Sequence, residues 1–233
     1  TMAANKRTVD LFGGAISCNL PSHWRDVSMV RQVPDNQEVY QDCTEETGAV
    51  LVVEILQYQS DIANGDAASF FFRDLAESNE CCDADCDLYS STVLSLCGTE
   101  DGWKENDAQG EIQDGGNLIR QLSENMNLSF GNASRICCII VVGSQKVVQG
   151  KDVVGTDPST HTHDAAKCID VEMCILRLEQ VETDLLITLS TPSDSTSIRS
   201  GDNGKSVTEQ ATVGDVFREI VSSVRIQDWT LFG

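Results

Sequence analysis

Basic residues are scarce in this chain: 16 Lys and Arg stand against 37 Asp and Glu, a formal net charge of −21 at pH 7. A surface of that sign repels phosphate backbones and anionic lipid, so nucleic acid and membranes are set aside as direct ligands and a basic protein partner is favoured. No apolar run approaches the ~20 residues of a membrane span. The opening stretch Thr1-Met2-Ala3-Ala4-Asn5-Lys6-Arg7 leads into no apolar segment of the secretory type. Without such a signal, the ten cysteines read as free thiols in a reducing compartment, and the sequons at Asn127 and Asn132 carry no glycan.

Signatures of catalysis and metal binding are missing too. There is no G-x-S-x-G nucleophile elbow. Of the three histidines, His161 and His163 fall in His161-Thr162-His163-Asp164, which offers half a metal site at most, because further ligands would have to come from elsewhere. Cys81, Cys82, Cys86 and Cys97 lack paired C-x-x-C spacing, while Cys137 and Cys138 sit in an apolar run and read as small hydrophobes. Gly204-Lys205-Ser206 resembles the end of a phosphate-binding loop, but the glycine that motif needs upstream is Arg199 and no apolar strand feeds it. The expectation is a protein with no active site, metal or cofactor.

What is present is a set of strands with two good helices. Residues 49–56 and 135–143 are nearly continuous apolar runs, as in strands covered on both faces. Ile16, Cys18 and Leu20 alternate with polar residues behind a Gly13-Gly14 turn, as in a half-buried strand. Residues 165–178 and 184–191 form two more strands joined by a hairpin-length connection, which predicts an antiparallel sheet. Asp66 is the expected N-cap of a helix ending near Asn79, with its three phenylalanines taken as core. Thr212 is the expected cap of a last helix, which would bury Val213, Val216, Phe217, Ile220, Val221 and Val224. Residues 225–229 return as a strand or extended tail.

Between the helices, residues 77–134 hold twelve acidic residues against Lys104 and Arg120. A stretch so polar buries little, and it is expected to be a partly disordered, removable excursion, with a possible strand at 88–96 and a short helix at 118–126. The chain as a whole, 1–233, is expected to be one domain.

One stretch has a sharper local meaning. In Arg31-Gln32-Val33-Pro34-Asp35-Asn36-Gln37-Glu38-Val39-Tyr40, the proline fixes its own φ and pushes Val33 towards extended backbone. Asp-Asn behind it is turn chemistry, so a turn precedes a strand that starts at Gln37. That places Asp35 and Glu38 at the surface.

The same stretch, together with Leu11-Phe12-Gly13-Gly14-Ala15-Ile16, Thr183-Asp184-Leu185-Leu186-Ile187-Thr188 and the closing Leu231-Phe232-Gly233, resembles the Mog1 family of Ran-binding proteins in both content and order. The resemblance covers roughly residues 8–75 and 135–233 and leaves 77–134 without a counterpart. It implies an α+β fold, a twisted antiparallel sheet of about six strands with helices on both faces. The PsbP proteins of photosystem II share that fold, so function follows from the turn motif and not from the fold. The resemblance further implies a monomer of the nucleus and cytoplasm that binds the GTPase Ran, in its GTP-bound or nucleotide-free state. On that reading it promotes release of Ran's guanine nucleotide and supports nuclear import without catalysis of its own. Asp35 and Glu38 are the implied Ran-binding residues, with Arg31, Asp26, Asn36 and Gln37 as weaker candidates. The alternative is an adaptor of the same fold for a different basic partner.

Overall fold

The computed structural model describes residues 5–44, 48–99, 102–106, 121–122, 125, 135–147, 167–193 and 214–233. Residues 161–164, 204–206, Thr212, Val213, Asn127 and Asn132 lie outside them. So does most of 107–134, within the segment 77–134 that was expected to be partly disordered.

In chain order the strands are β1 (Lys6–Leu11), β2 (Ile16–Pro21), β3 (Trp24–Asp26), β4 (Gln37–Asp42), β5 (Val50–Gln57), β6 (Cys86–Thr99), β7 (Gly102–Asn106), β8 (Arg135–Val147), β9 (Lys167–Leu178), β10 (Thr183–Ser193) and β11 (Arg225–Ile226). The helices are α1 (Asn64–Ser78), between β5 and β6, and α2 (Asp215–Ser222), before β11. The main sheet has the order β3-β4-β5-β10-β9-β8-β6-β7 and every neighbouring pair is antiparallel. A smaller sheet, β1-β2-β11, is also antiparallel.

The sheet therefore has eight strands, not about six. Its outermost strands are a short one, β3, at one edge and the pair β6 and β7 at the other. Those two come from the acidic segment expected to be a partly disordered insertion within the domain. Strand β6 runs beside β8 from Cys86 opposite Gln145 to Cys97 opposite Arg135, and Leu94 is buried in the core. The expected strand at 88–96 is present, and removing residues 80–116 would take this whole ladder with it. Helical Gln121, Leu122 and Asn125 lie within the short helix expected at 118–126, and Leu122 is buried.

Strand alternation divides the core into two layers. On β8, Cys138 and Ile140 face a large cluster closed over by the small sheet and by Phe217, Ile220 and Val221 of α2. Cys137, Ile139 and Val141 face the opposite way, onto Ala67, Ala68, Phe71 and Phe72 of α1. Helices thus cover both faces of the sheet, because a strand two-sidedly apolar in sequence must be covered twice.

The helix ends differ in detail from the expectation. Helix α1 starts two residues before Asp66, which lies in its first turn, and Ala63 at the cap gives no side-chain hydrogen bond. Helix α2 begins at Asp215 behind Gly214. Val216, expected in the core, is 46% exposed because the three buried residues define a narrower stripe than the sequence suggested. The Gly214 N–H donates to the carboxylate of Glu172 on β9. Burial pushes that carboxyl's pKa up, and the hydrogen bond opposes the rise.

Gly143 on β8 shows how closely α1 sits. A methyl group there would overlap both the Phe72 ring and the Asp87 carbonyl. Beside it, the buried Gln145 amide donates to the Phe72 carbonyl at 3.0 Å and accepts from Asn79 at 2.8 Å. Gly143→Ala is expected to destabilise the fold by about 1–3 kcal/mol through overpacking. Urea denaturation measures it, and an unchanged midpoint would mean that α1 lifts away at no cost.

Candidate functional site

The motif around Pro34 lies at one end of β4, next to the edge of the main sheet. Gln37 N–H donates to the Pro34 carbonyl at 2.9 Å, closing a turn with Asp35 and Asn36 at its tip. Both tip residues are exposed, and the Asp35 carboxylate has no hydrogen bond or ion pair among the described residues. The turn is held from the β5 side. Ile55 N–H donates to the Asn36 carbonyl at 2.9 Å, and the Asn36 amide donates to the Ile55 carbonyl at 3.2 Å.

Gln37 and Glu38 point to opposite faces, as neighbours on a strand must. Gln37 stands opposite Glu54 of β5 and donates to its carboxylate at 2.7 Å, which brings a third acidic group beside the turn. Sequence reasoning missed Glu54, since it reads there as one charge inside an apolar run.

Glu38 does not project freely from the turn. It is half-buried, and its Oε1 accepts the backbone N–H of Phe12 at 2.6 Å. Phe12 has φ +50°, followed by Gly13 at +66° and Gly14 at +95°. Left-handed backbone is routine for the glycines and costly for phenylalanine, so Glu38 helps hold a strained residue in place. The expectation that both carboxylates are exposed on the turn is corrected here: Asp35 is free, whereas Glu38 uses one oxygen to fasten the turn to the small sheet. The segment that leads into the C-terminal motif joins the same corner. Gln227 and Asp228 both donate backbone N–H to the Ala15 carbonyl, at 2.8 and 3.1 Å.

The weaker candidates divide. Asp26 stands opposite Tyr40 on β3 and accepts Ser28 N–H at 2.7 Å, capping a single 3₁₀ turn, Val27–Met29. Arg31 is exposed beyond that turn. Tyr40 itself is buried, and its pKa is pushed up to about 12, chiefly by desolvation and then by the charges of Glu38 and Asp26. The corner is thus acidic, with Asp26, Asp35, Glu38 and Glu54 around β4 and Arg31 as an exposed cation nearby. Among the described residues, no three His, Cys, Asp or Glu side chains converge as metal ligands would.

The remaining motif, around Asp184, lies elsewhere in the sheet. Asp184 and Arg177, opposite each other on β10 and β9, form an ion pair at 3.1 Å with both side chains buried. The guanidinium also donates to the carbonyls of Ile62 and Gln59, each at 2.6 Å, and to Asn64 at 2.8 Å, and it lies 4.5 Å from the Tyr58 ring centroid. This network ties the segment leading into α1 onto the sheet.

Comparison with known proteins gives matches along most of the chain. The family model described as "Ran-interacting Mog1 protein" matches residues 9–192. A Ran guanine nucleotide release factor of Danio rerio is 29% identical over 224 residues, covering 96% of this chain and 98% of the relative. That of Homo sapiens is 28% identical, covering 97% of each. The nuclear import protein mog1 of Schizosaccharomyces pombe is 36% identical over 72 residues, 31% of this chain and 37% of that protein. The crystal structure of the Saccharomyces cerevisiae Ran-binding protein Mog1p superposes with a TM-score of 0.57 at 18% identity, covering 99% of this chain and 100% of that one, which shows the shared fold.

Proposed function

This chain belongs to the Ran-interacting Mog1 family, and from that membership we propose that it binds the small GTPase Ran and promotes release of its guanine nucleotide, in support of nuclear protein import. The observation that carries the reading is the end-to-end similarity to Ran guanine nucleotide release factors, which covers 98% of the relative's length in one case. The acidic corner supplies a matching surface. Asp35 is the free carboxylate at its tip, and Glu38 retains one oxygen beyond the one that accepts Phe12 N–H. Arg31 and Asp26 flank the contact, while Asn36 and Gln37 hold its shape through β5.

A GTPase holds its nucleotide through a lysine on the phosphates and a bound Mg²⁺. A partner that loosens the nucleotide must therefore prefer the state in which those contacts are weakened. Carboxylates presented on a pinned turn suit that task by pairing with basic groups that otherwise serve the phosphates. The protein adds no catalytic group of its own, acts as a single copy, and works in the nucleus and the cytoplasm on the GTP-bound or nucleotide-free form of Ran.

Linkage makes the reading testable. If this protein weakens Ran's hold on a nucleotide, that nucleotide weakens this protein's hold on Ran by the same factor, and couplings of about 5–150-fold are usual. Titrating Ran that is nucleotide-free, GDP-bound or GTP-bound, at several Mg²⁺ concentrations, is expected to show the tightest binding without nucleotide. Equal affinity for all three states would make the protein a Ran-binding adaptor and remove the release function.

A further inference from the structure

Among the described residues, six large hydrophobic side chains are exposed, and the two most exposed are neighbours: Met29 at 85% and Val30 at 86%. They sit in the connection between β3 and β4, just before Arg31 and the Pro34 turn. Single exposed apolar residues need no explanation, but an adjacent pair almost wholly in water is unfavourable unless something covers it. Neither belongs to any motif that marked the family.

The backbone that carries the pair is fastened in place. Asp26 caps the 3₁₀ turn through Ser28 N–H, and both Val30 and Arg31 donate backbone N–H to the Val27 carbonyl, at 2.9 and 3.1 Å. Asp26 is hydrogen-bonded in register to β4, opposite Tyr40, so the turn is anchored to the strand that carries Glu38. The backbone that presents the pair is thus already ordered, so the ordering that binding still requires is that of the two side chains. Asp26 and Arg31 flank it on the same turn, and the chain runs on from it into the turn that carries Asp35 and the strand that carries Glu38. An apolar centre with a charged rim is how binding energy is usually distributed at an interface.

We infer that Met29 and Val30 are the apolar anchor of the partner-binding surface, inserting into an apolar cleft on Ran that is bordered by basic side chains. This rests on the proposed function, since the acidic rim is the one assigned there to Ran. The rim also selects among occupants. A second copy of this chain would bring carboxylates against carboxylates at −21 per molecule, and an anionic lipid surface would be repelled in the same way. A basic partner meets no such penalty.

The test is the double variant Met29→Ser/Val30→Ser, titrated with nucleotide-free Ran over a range of salt concentrations beside the wild-type protein. Affinity is expected to fall at least about 30-fold, the size of a binding hot spot, mostly through faster dissociation. The melting temperature and the slope of affinity against salt are expected to stay unchanged, because no charge is removed and the side chains support no core. Met29→Leu/Val30→Ile is expected to bind as the wild type does. Wild-type affinity in the serine variant would overturn the inference while leaving Ran binding intact. A change in sedimentation from dimer to monomer in the serine variant would assign the pair to self-association and overturn it as well. Failure of the wild-type protein to bind Ran would bring down the proposed function and this inference together.

Discussion

Asp184→Ala is expected to destabilise the protein by about 3–5 kcal/mol, enough to unfold a marginal domain at physiological temperature. The carboxylate is fully buried, accepts from Arg177 at 3.1 Å, and also accepts Gln59 N–H at 2.9 Å through its other oxygen. Removing it leaves a guanidinium in the core with no counter-charge, and that penalty exceeds the value of the bond itself. Arg177→Ala is expected to cost a similar amount, since it strands Asp184 along with the carbonyls of Gln59 and Ile62. The pair Arg177→Met/Asp184→Leu is expected to recover part of the loss, because no charge is then buried, but not all of it, because those loop carbonyls remain unsatisfied. Guanidinium denaturation of the three variants gives the numbers. A loss below about 1 kcal/mol in Asp184→Ala, the range of exposed pairs, would show that water reaches the pair after all.

The second large effect falls on binding. Asp35→Lys is expected to weaken Ran affinity by at least about 10-fold, because close charge pairs at interfaces couple by ~1.5–7 kcal/mol and reversal adds repulsion. Its stability is expected to be unchanged, as the carboxylate makes no hydrogen bond or ion pair among the described residues. Glu38 requires a different design. Glu38→Gln keeps an oxygen for Phe12 N–H and removes only the charge, so it is expected to fold normally and bind Ran more weakly. Glu38→Lys also removes the acceptor, and it is expected to cost a further ~1–3 kcal/mol of stability by leaving the Phe12 N–H without its partner in a strained turn. Calorimetric titration with Ran, together with thermal melting, separates the two roles. If Glu38→Gln binds as tightly as the wild type, the carboxylate serves the corner's shape alone.

Much of the architecture was legible because it depends on short-range pattern. Strands β8, β9 and β10 announce themselves as apolar, β-branched runs, and Pro34-Asp35-Asn36 forms its turn where the φ preferences of those residues place it. The edges were less legible. Strand β3 is three residues long, too short for any period to show, and β6 lies in an acidic stretch whose partner β8 is dozens of residues away. Of the consecutive phenylalanines, Phe71 and Phe72 are core, but Phe70 lies on the outer side of α1 at 36% exposure, since three adjacent residues span most of a helical turn.

Alternation and turn chemistry are properties of neighbouring residues, and they were enough to give the antiparallel class, the two covered faces and the Asp35 turn. Which carboxylate is free is a property of pairs brought together from far apart. Glu38 meets a backbone N–H 26 positions upstream, and Glu54 meets Gln37 only because two strands align in one register. Arg177 and Asp184 look in the sequence like two surface charges on a hairpin. Their burial follows from the residues that close over them, the segment 58–64 and the start of α1, and no local preference encodes a closure that depends on distance in space.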